Sequence, residues 1–347
     1  MNAVMKVLGI ETSCDETAAA IVEDGHNLLG SSIASSVDIH ALYGGVIPEI
    51  AARSHIESII PVIEDVFSQS KLGWEDIDAI AVTYGPGLLG GLLIGVLAAR
   101  TLAIAKNKPL YAVNHVEAHV YANFLVKPLP QFPLLSLIVS GGHTQLVIFK
   151  NHFDYQLLGQ TKDDAMGEAY DKVAKVLGLP YPGGPNISKT AMTGDANAFE
   201  LPKAKLDNPY DFSFSGLKTA TLRTAQKAVG ADFRLSSTEL PALLTDRQKA
   251  DIAASFQKVA IETVVSKTIQ AYKEFKPKTV VIAGGVAASQ ELRQALKEKL
   301  PIDINYAPPH LCTDNGAMVA ALGCYKAMLK QPTADPYSLE AIPNLKM

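Results

Sequence analysis

Two periods alternate along this chain. KVLGI (6–10) and TAAAIV (17–22) are short, nearly unbroken apolar runs separated by the polar turn ETSCDET, and LLGSSI follows after a second polar turn, EDGHN. Runs of this length, bounded by turn residues, predict three strands joined as a meander. From 47 to 67 the period changes: in IPEIAARSHIESIIPVIEDVF, Ile56, Ile59, Ile60, Ile63, Val66 and Phe67 recur at helical spacing. IDAIAVTYGPG (77–87) reads as a buried strand entering a Gly-Pro turn, and LLGGLLIGVLAARTLAIA (88–105) as an apolar helix. Strand and helix in alternation predict a mixed or parallel sheet covered by helices.

The pattern then begins again. LLSLIVSGGHTQLVIFKNHFDYQLLGQT (134–161) is strand, polar Gly turn, strand, hairpin and strand ending in LLG, the order already met in VLGIETSCDETAAAIVEDGHNLLGSS. This predicts an internal duplication of topology. KTVVIAGGVAASQELRQALKEKL (278–300) adds strand, Gly-Gly turn and helix, and INYAPPHLCTDNGAMVAALGCYKAML a strand, a loop and a closing helix. Residues 182–247, rich in Pro, Gly, Asn and Ser and holding many of the basic residues, read as an irregular insertion. The predicted organisation is a first lobe of 1–117 with 326–347 and a second lobe of 118–325.

Length fits this picture: 347 residues suggest two domains at roughly 150 each. With 48% hydrophobic and 19% charged residues the chain can bury a large core and is not disordered. Its net charge of −4 excludes nucleic-acid binding by bulk charge, so such binding would need a local basic face or a partner. Three cysteines without a CxxC pair suit a reducing compartment. MNAVMKVLGIET reaches Glu11 too soon for a signal peptide. In the apolar helix about a dozen uncharged residues precede Arg100, short of the ~20 that cross a bilayer. The expectation is a soluble cytoplasmic α/β protein with no membrane association.

Three turns carry candidate chemistry. ETSCDET and VSGGHTQ offer backbone N–H groups with Ser and Thr hydroxyls, which suit phosphate oxygens. AGGVAAS opens a helix, where glycines let a backbone approach a nucleoside and the helix N-terminus favours an anion. Three such turns at matched places predict a nucleotide site, although no G-x-x-x-x-G-K-[ST] and no strand-linked G-x-G-x-x-G is present. NHVEAHVY (114–121) carries a different signal. His115 and His119 at i and i+4 lie only about 40° apart on a helix and can share one metal. Glu117, at i+2, points away, so the segment is not the H-E-x-x-H site of metalloproteases. Asp314, in the loop PPHLCTDNGA, is the candidate third ligand, and two His with one carboxylate and open positions suit Fe(II) or Zn(II).

GIETSCDET (9–17), YGGVIPE (43–49), GPGLLGGLL (85–93), NHVEAH (114–119), VSGGHTQL (139–146), GEAYDKVAKVLGLPYPGGP (167–185), DFSFSGLKT (211–219), IAGGV (282–286) and CTDNGAM (312–318) occur in this order. Together they resemble the bacterial TsaD family, the tRNA adenosine threonylcarbamoyltransferases once labelled sialoglycoprotein endopeptidases, over nearly the whole chain. The resemblance implies an actin/hexokinase/Hsp70-like (ASKHA) α/β fold with two duplicated lobes. It implies transfer of the threonylcarbamoyl group from threonylcarbamoyl-AMP to the exocyclic amine of the adenosine 3′ of the anticodon, in tRNAs reading codons that begin with A. His115, His119 and Asp314 then hold the metal, iron(II) with zinc(II) as the alternative. Ile138, Val139, Ser140, Gly141, Gly142, Asp171, Gly184 and Ser289 line the adenylate pocket, Ser289 standing where the family commonly has Asn.

The expected partners are tRNA through its anticodon loop, the TsaB and TsaE proteins, and a separate synthase that supplies the donor. Asp15 is the candidate proton acceptor and Glu11 the second choice. Lys203, Lys205, Lys218, Arg223 and Lys227 are candidate phosphate contacts. A non-catalytic partner subunit of the same fold, or a sugar-kinase-like enzyme, is the competing reading; neither needs two histidines and a carboxylate together.

Overall fold

The computed structural model describes residues 4–347. Its strands are β1 (Lys6–Glu11), β2 (Glu16–Glu23), β3 (Asn27–Ser35), β4 (Ala79–Gly85), β5 (Leu110–Asn114), β6 (Leu134–Val139), β7 (Thr144–Asn151), β8 (Asp154–Gln160), β9 (Thr279–Ala283) and β10 (Ile304–Tyr306). The longer helices are α1 (Pro48–Ser70), α2 (Leu89–Lys106), α3 (His115–Tyr121), α4 (Met166–Leu177), α5 (Gly183–Ala191), α6 (Ser215–Ala228), α7 (Asp246–Phe275), α8 (Gln290–Lys299) and α9 (Gly316–Met328). The chain forms two compact units, Met1–Pro130 with Tyr306–Met347, and Gln131–Asn305.

In the first unit the sheet order is β3-β2-β1-β4-β5. β1 runs antiparallel to β2 and parallel to β4, and β4 runs parallel to β5. KVLGIE does not alternate because both its faces are buried. Leu8 and Ile10 join Ile59, Ile63 and Val66 of α1 and Val96 and Ala99 of α2 in one core. The opposite face, carrying Val7 and Gly9, meets α9: a Cβ on Gly9 would lie 2.3 Å from the Ala320 amide, and a Cβ on Gly323 would lie 3.1 Å from Val7.

This packing moves the predicted domain boundaries. The sequence reading put residues 118–130 and 306–325 in the second lobe, but α9 lies against β1, β2, β4 and α3 and belongs to the first unit. Its residues Gly316–Cys324 are apolar and buried, and Gly316 and Gly323 let it lie so close to the sheet.

The second unit repeats the topology, with order β10-β9-β6-β7-β8, β6 antiparallel to β7 and parallel to β9. The duplication read from the sequence is therefore present strand for strand. Residues 182–247 are not an irregular insertion throughout. They contain α5 and α6, which pack with α4 and with the 30-residue α7. Thr245 and Gln248 cap α7 reciprocally, so its start lies where the irregular composition ends.

The apposition of β1 and α9 leaves no room for a methyl group. Gly9→Ala would set a Cβ against backbone atoms at 2.3 and 2.5 Å, so it should destabilise the protein by about 1–3 kcal/mol. A lowered chemical-denaturation midpoint is expected; an unchanged midpoint would show that α9 is not held this tightly.

Candidate metal centre

α3 is only seven residues long, too short to persist by propensity. Its start is set by Asn114, whose Oδ1 accepts from the Val116 and Glu117 amides at 2.9 and 3.2 Å. All seven residues are buried. His115 and His119 share a face, with ring centroids 4.7 Å apart. Asp314 arrives from the loop before α9, whose first turn is capped by Asn315 Oδ1 accepting from the Met318 amide at 2.9 Å.

Asp314 Oδ1 lies 3.2 Å from His119 Nε2 and 3.6 Å from His115 Nε2, and one ligand atom from each of the three residues falls within 4.8 Å of the others. His119 Nε2 nevertheless makes no hydrogen bond, and neither does its Nδ1, although both atoms are buried. Two imidazole nitrogens and a carboxylate oxygen thus converge on one point, the arrangement that a divalent cation satisfies. The group can hold a metal.

The residues behind His115 explain its orientation. Its Nδ1 lies 3.1 Å from Glu11 Oε2 and 3.0 Å from Ser13 Oγ, which turns Nε2 toward Asp314. Glu11 in turn accepts from the Ser13 amide and the Thr83 hydroxyl, both at 2.6 Å. Burial alone would lower the pKa of His115, but the charges of Asp314 and Glu11 outweigh it and raise the pKa to about 9. Burial would raise Glu11, yet His115 and Thr83 hold it below the ordinary carboxylate value. Glu11 is 0% exposed, so as second-choice proton acceptor it is out of reach of a substrate; it holds the histidine instead.

Asp15 is buried in the turn but keeps 9% of its surface exposed, and its carbonyl accepts from the Ser36 amide and hydroxyl at 3.1 and 2.8 Å. Its neighbour Glu16 was not singled out in the sequence. Burial, then the charges of Asp314 and Asp15, push Glu16 well above the carboxylate range, and Ser35 Oγ donates to it at 3.2 Å. His55 braces the same turn from behind, with Nδ1 2.8 Å from Thr17 Oγ1 and Nε2 3.1 Å from the Cys14 carbonyl. Glu117 lies outside the triad and inside the protein: it is 5% exposed, burial raises it to about 7, and the attraction of Lys326 on α9 opposes that rise.

In the second unit the predicted pocket residues gather around the end of β6. Ile138 and Val139 are wholly buried in the strand, so they offer backbone rather than side chain. The Ser140 amide donates to the His143 carbonyl at 2.8 Å, closing the loop, and Gly141 and Gly142 have open space where a Cβ would stand. The Gly167 amide, in the first turn of α4, donates to the Ser140 carbonyl at 3.1 Å. Gly284 has φ +90 and lies against the Val139 carbonyl, so a side chain there is excluded twice over.

Asp171 accepts from the Gly183 amide at 2.6 Å, tying α4 to the start of α5, where Gly184 also has open space. Ser289 caps α8, accepting from the Leu292 amide at 3.2 Å and donating to Glu291 at 3.0 Å. Its hydroxyl is occupied locally. Of the basic candidates, Lys203 pairs with Glu262 and Lys218 with Asp164, each at 2.7 Å, and Arg223 donates to Gln226 at 3.0 Å. Those three are committed within the protein.

Comparison with known proteins finds relatives over nearly the whole chain. The family model TsaD, described as tRNA N6-adenosine threonylcarbamoyltransferase, matches residues 27–321. A protein of that name from Symbiobacterium thermophilum is 48% identical over 342 residues, 98% of this chain and 96% of that one. Another, from Thermomicrobium roseum, is 51% identical over 336 residues, 93% of this chain and 92% of that one. Among solved structures, HypF from T. kodakarensis superposes with a TM-score of 0.62 at 14% identity, covering 94% of this chain and 48% of that one. Component A of the (R)-2-hydroxyglutaryl-CoA dehydratase of Acidaminococcus fermentans gives 0.52 at 16%, covering 94% and 99%. At such identities the likeness speaks for the fold alone, which is α/β of the ASKHA type.

The acidic turn makes a pH prediction. Glu16 is neutral in the folded, metal-free protein and has an ordinary value of 4.5 once unfolded. Its contribution to stability is therefore fully present below about pH 4.5 and lost as the pH rises toward its folded value. Glu16→Gln removes that loss. Its denaturation midpoint should gain on wild type from pH 5 to pH 9, by at most about 1.4 kcal/mol per pH unit. Parallel pH profiles would show that Glu16 ionises freely in the fold.

Proposed function

We propose a course of reaction from one premise: the chain belongs to the TsaD family, the tRNA N6-adenosine threonylcarbamoyltransferases. The substrate pair is threonylcarbamoyl-AMP and the adenosine 3′ of the anticodon in tRNAs reading codons that begin with A. The observation that carries the reading is the His115, His119 and Asp314 triad, which neither competing reading needs.

The donor is a mixed carbamic–phosphoric anhydride. The adenine N6 attacks the carbamoyl carbon, the bond from that carbon to the phosphate oxygen breaks, AMP leaves, and one proton is lost from the amine. That amine is a poor nucleophile because its lone pair is delocalised into the ring, so positioning and proton removal carry the rate. Asp15, in the turn beside Asp314, is the residue we assign to accept the proton. Glu11 and Ser13 keep His115 oriented, and Glu16, held neutral, limits the negative charge gathered around Asp15 and Asp314. A bound metal, iron(II) with zinc(II) as the alternative, would supply Lewis-acid polarisation and an anchor for donor oxygens. The loop Val139–Gly142, Asp171, Gly184 and the turn from Gly284 to Ser289 would hold the adenylate. The target base must be splayed from the anticodon loop, as recognition of single-stranded RNA generally requires.

Help with tRNA would come from TsaB and TsaE, with the donor supplied by a separate synthase in the cytoplasm. The first unit offers a surface for such a partner. α2 buries only one stripe, Gly91, Leu92, Gly95, Val96, Ala99 and Ala103, and leaves Leu93 and Leu97 exposed. α1 adjoins it where Ala52 meets Gly90, and exposes Ile56 and Ile60 at about 60% each. Four large aliphatic residues on two packed helices are more than scattered surface apolarity explains.

Three experiments test these readings. His115→Ala should lose both bound metal and threonylcarbamoyl transfer to tRNA, by at least about 100-fold in rate, and chelation should do the same to wild type. Asp15→Asn should keep the metal and lose the transfer in single turnover. Full transfer by His115→Ala would sink the metal reading, and a wild-type rate in Asp15→Asn would sink the assignment of the base. For the partner surface, Ile60→Asp with Leu97→Asp should abolish co-purification with a TsaB protein while metal content stays at the wild-type level. Unchanged co-purification would move the interface elsewhere.

A further inference from the structure

The last seventeen residues form no regular element, yet they are tied to the first unit along their length. The Ala334 amide donates to the Leu110 carbonyl at 2.8 Å, where β5 begins. Arg100, on α2, then gathers three carbonyls: Nε donates to Pro336 at 2.6 Å, Nη2 to Tyr337 at 2.6 Å and Nη1 to Leu339 at 3.3 Å. Asp335 folds the segment into the turn that presents them, accepting from the Tyr337 amide at 3.0 Å and the Ser338 hydroxyl at 2.7 Å. Leu339 and Ala341 pack against the core of the unit.

Beyond this clamp the segment turns toward the strand ends. The Ile342 amide donates to the Tyr84 carbonyl at 2.7 Å, and the Gly87 amide donates to the Pro343 carbonyl at 3.1 Å. A Cβ on Gly85 would lie 2.0 Å from the Ile342 carbonyl oxygen, so the glycine is required by the approach of this segment. Lys346 then accepts from Asn114 Nδ2 at 3.3 Å.

Both of these last contacts lead to His115. Asn114 is the residue whose Oδ1 starts α3; with Nδ2 engaged by Lys346, the amide has one orientation in which both ends are satisfied. On the other side, Gly87 lies against Ser13, the Leu88 amide donates to the Ser13 carbonyl at 2.7 Å, and Ser13 Oγ is 3.0 Å from His115 Nδ1. A seven-residue helix takes its position from its cap and its packing.

We propose that the segment 331–347, fastened by Arg100, is a positioning element of the metal centre: it orients Asn114 and the Gly85–Gly87 turn, and through them His115. Arg100, which interrupts an otherwise apolar helix, is there to hold it. The inference rests on the metal reading above.

The test is metal affinity, measured with Zn(II) alone against a chromophoric chelator, together with the visible spectrum of the Co(II) protein. Two variants are used: the chain shortened after Asn344, and Arg100→Gln. Each should weaken Zn(II) binding about 10-fold and alter the Co(II) spectrum while the metal-free protein unfolds close to the wild-type temperature. Arg100→Lys, which can keep part of the clamp, should recover part of the affinity. Wild-type affinity and spectrum in both variants would overturn the proposal, as would losses of affinity that only track losses of metal-free stability. His115→Ala in the same titration separates the two ideas. If wild type itself binds no Zn(II), the metal reading fails. If His115→Ala alone loses binding, only the positioning role fails.

Discussion

Asp314 reaches two histidines nearly two hundred residues earlier in the chain because α9 lies almost backbone-to-backbone on β1 and β2. The contact needs glycine on both sides. Gly9 opens the strand to Ala320, Gly316 opens the helix to Ala19, and each missing Cβ would collide at about 2.3–2.4 Å. Close packing of this kind tolerates little slippage, so the loop before α9 has one place to be. The rest of the site follows from that. α3 packs on α9, Asn315 starts α9 directly after Asp314, and Glu117 feels the charge of Lys326 across the same interface. Local strength would not be enough to place these three residues: α3 is too short, and the loop carrying Asp314 is preceded by only a four-residue helical turn.

The charges around the site have to be balanced in the same small volume. Glu11, Asp15, Glu16 and Asp314 are four carboxyl groups near two imidazoles. Desolvation penalises every charged form, and like charges close together cannot all ionise. The groups divide accordingly. Glu11, with the Ser13 amide, the Thr83 hydroxyl and His115 around it, stays a carboxylate. Glu16, with Asp15 and Asp314 as neighbours, stays neutral. In the metal-free protein the proton on His115 is the positive charge among them, and a divalent cation would replace it with a stronger one.

Much of this could be read in the sequence, for identifiable reasons. The two meanders, the duplication and the i, i+4 histidines are local patterns, and local periodicity survives folding. Asp314 was legible because a strand, a polar loop and a closing helix frame it. What could not be read depends on contacts between distant segments. The boundary after Pro130 depends on where α9 packs, and from Gly316 to Cys324 α9 is apolar all round. Glu11 looked like a candidate base because its type and turn are right, and only its complete burial behind His115 gives it another task. Thr83 and Glu16 carry no motif that separates them from ordinary strand residues. Residues 182–247 misled by composition: Pro and Gly mark the ends of α5 and α6, not the absence of helix.

The duplication also shows how one topological position comes to suit opposite charges. The turn between the first two strands of each unit stands at the same place in the same sheet order. In the first unit it is ETSCDET, with the carboxyl groups of Glu11, Asp15 and Glu16, which disfavours an anion and suits a cation beside the nearby imidazoles. In the second it is SGGH, without a carboxylate, with two glycines whose open Cβ positions let a ligand approach the backbone. Exposed N–H groups of that kind attract phosphate. A phosphate placed in the first turn would face Asp15 and Asp314, and a divalent cation placed in the second would find no ionised ligand. Divergence of a repeated turn gives the two units opposite preferences without a change of fold.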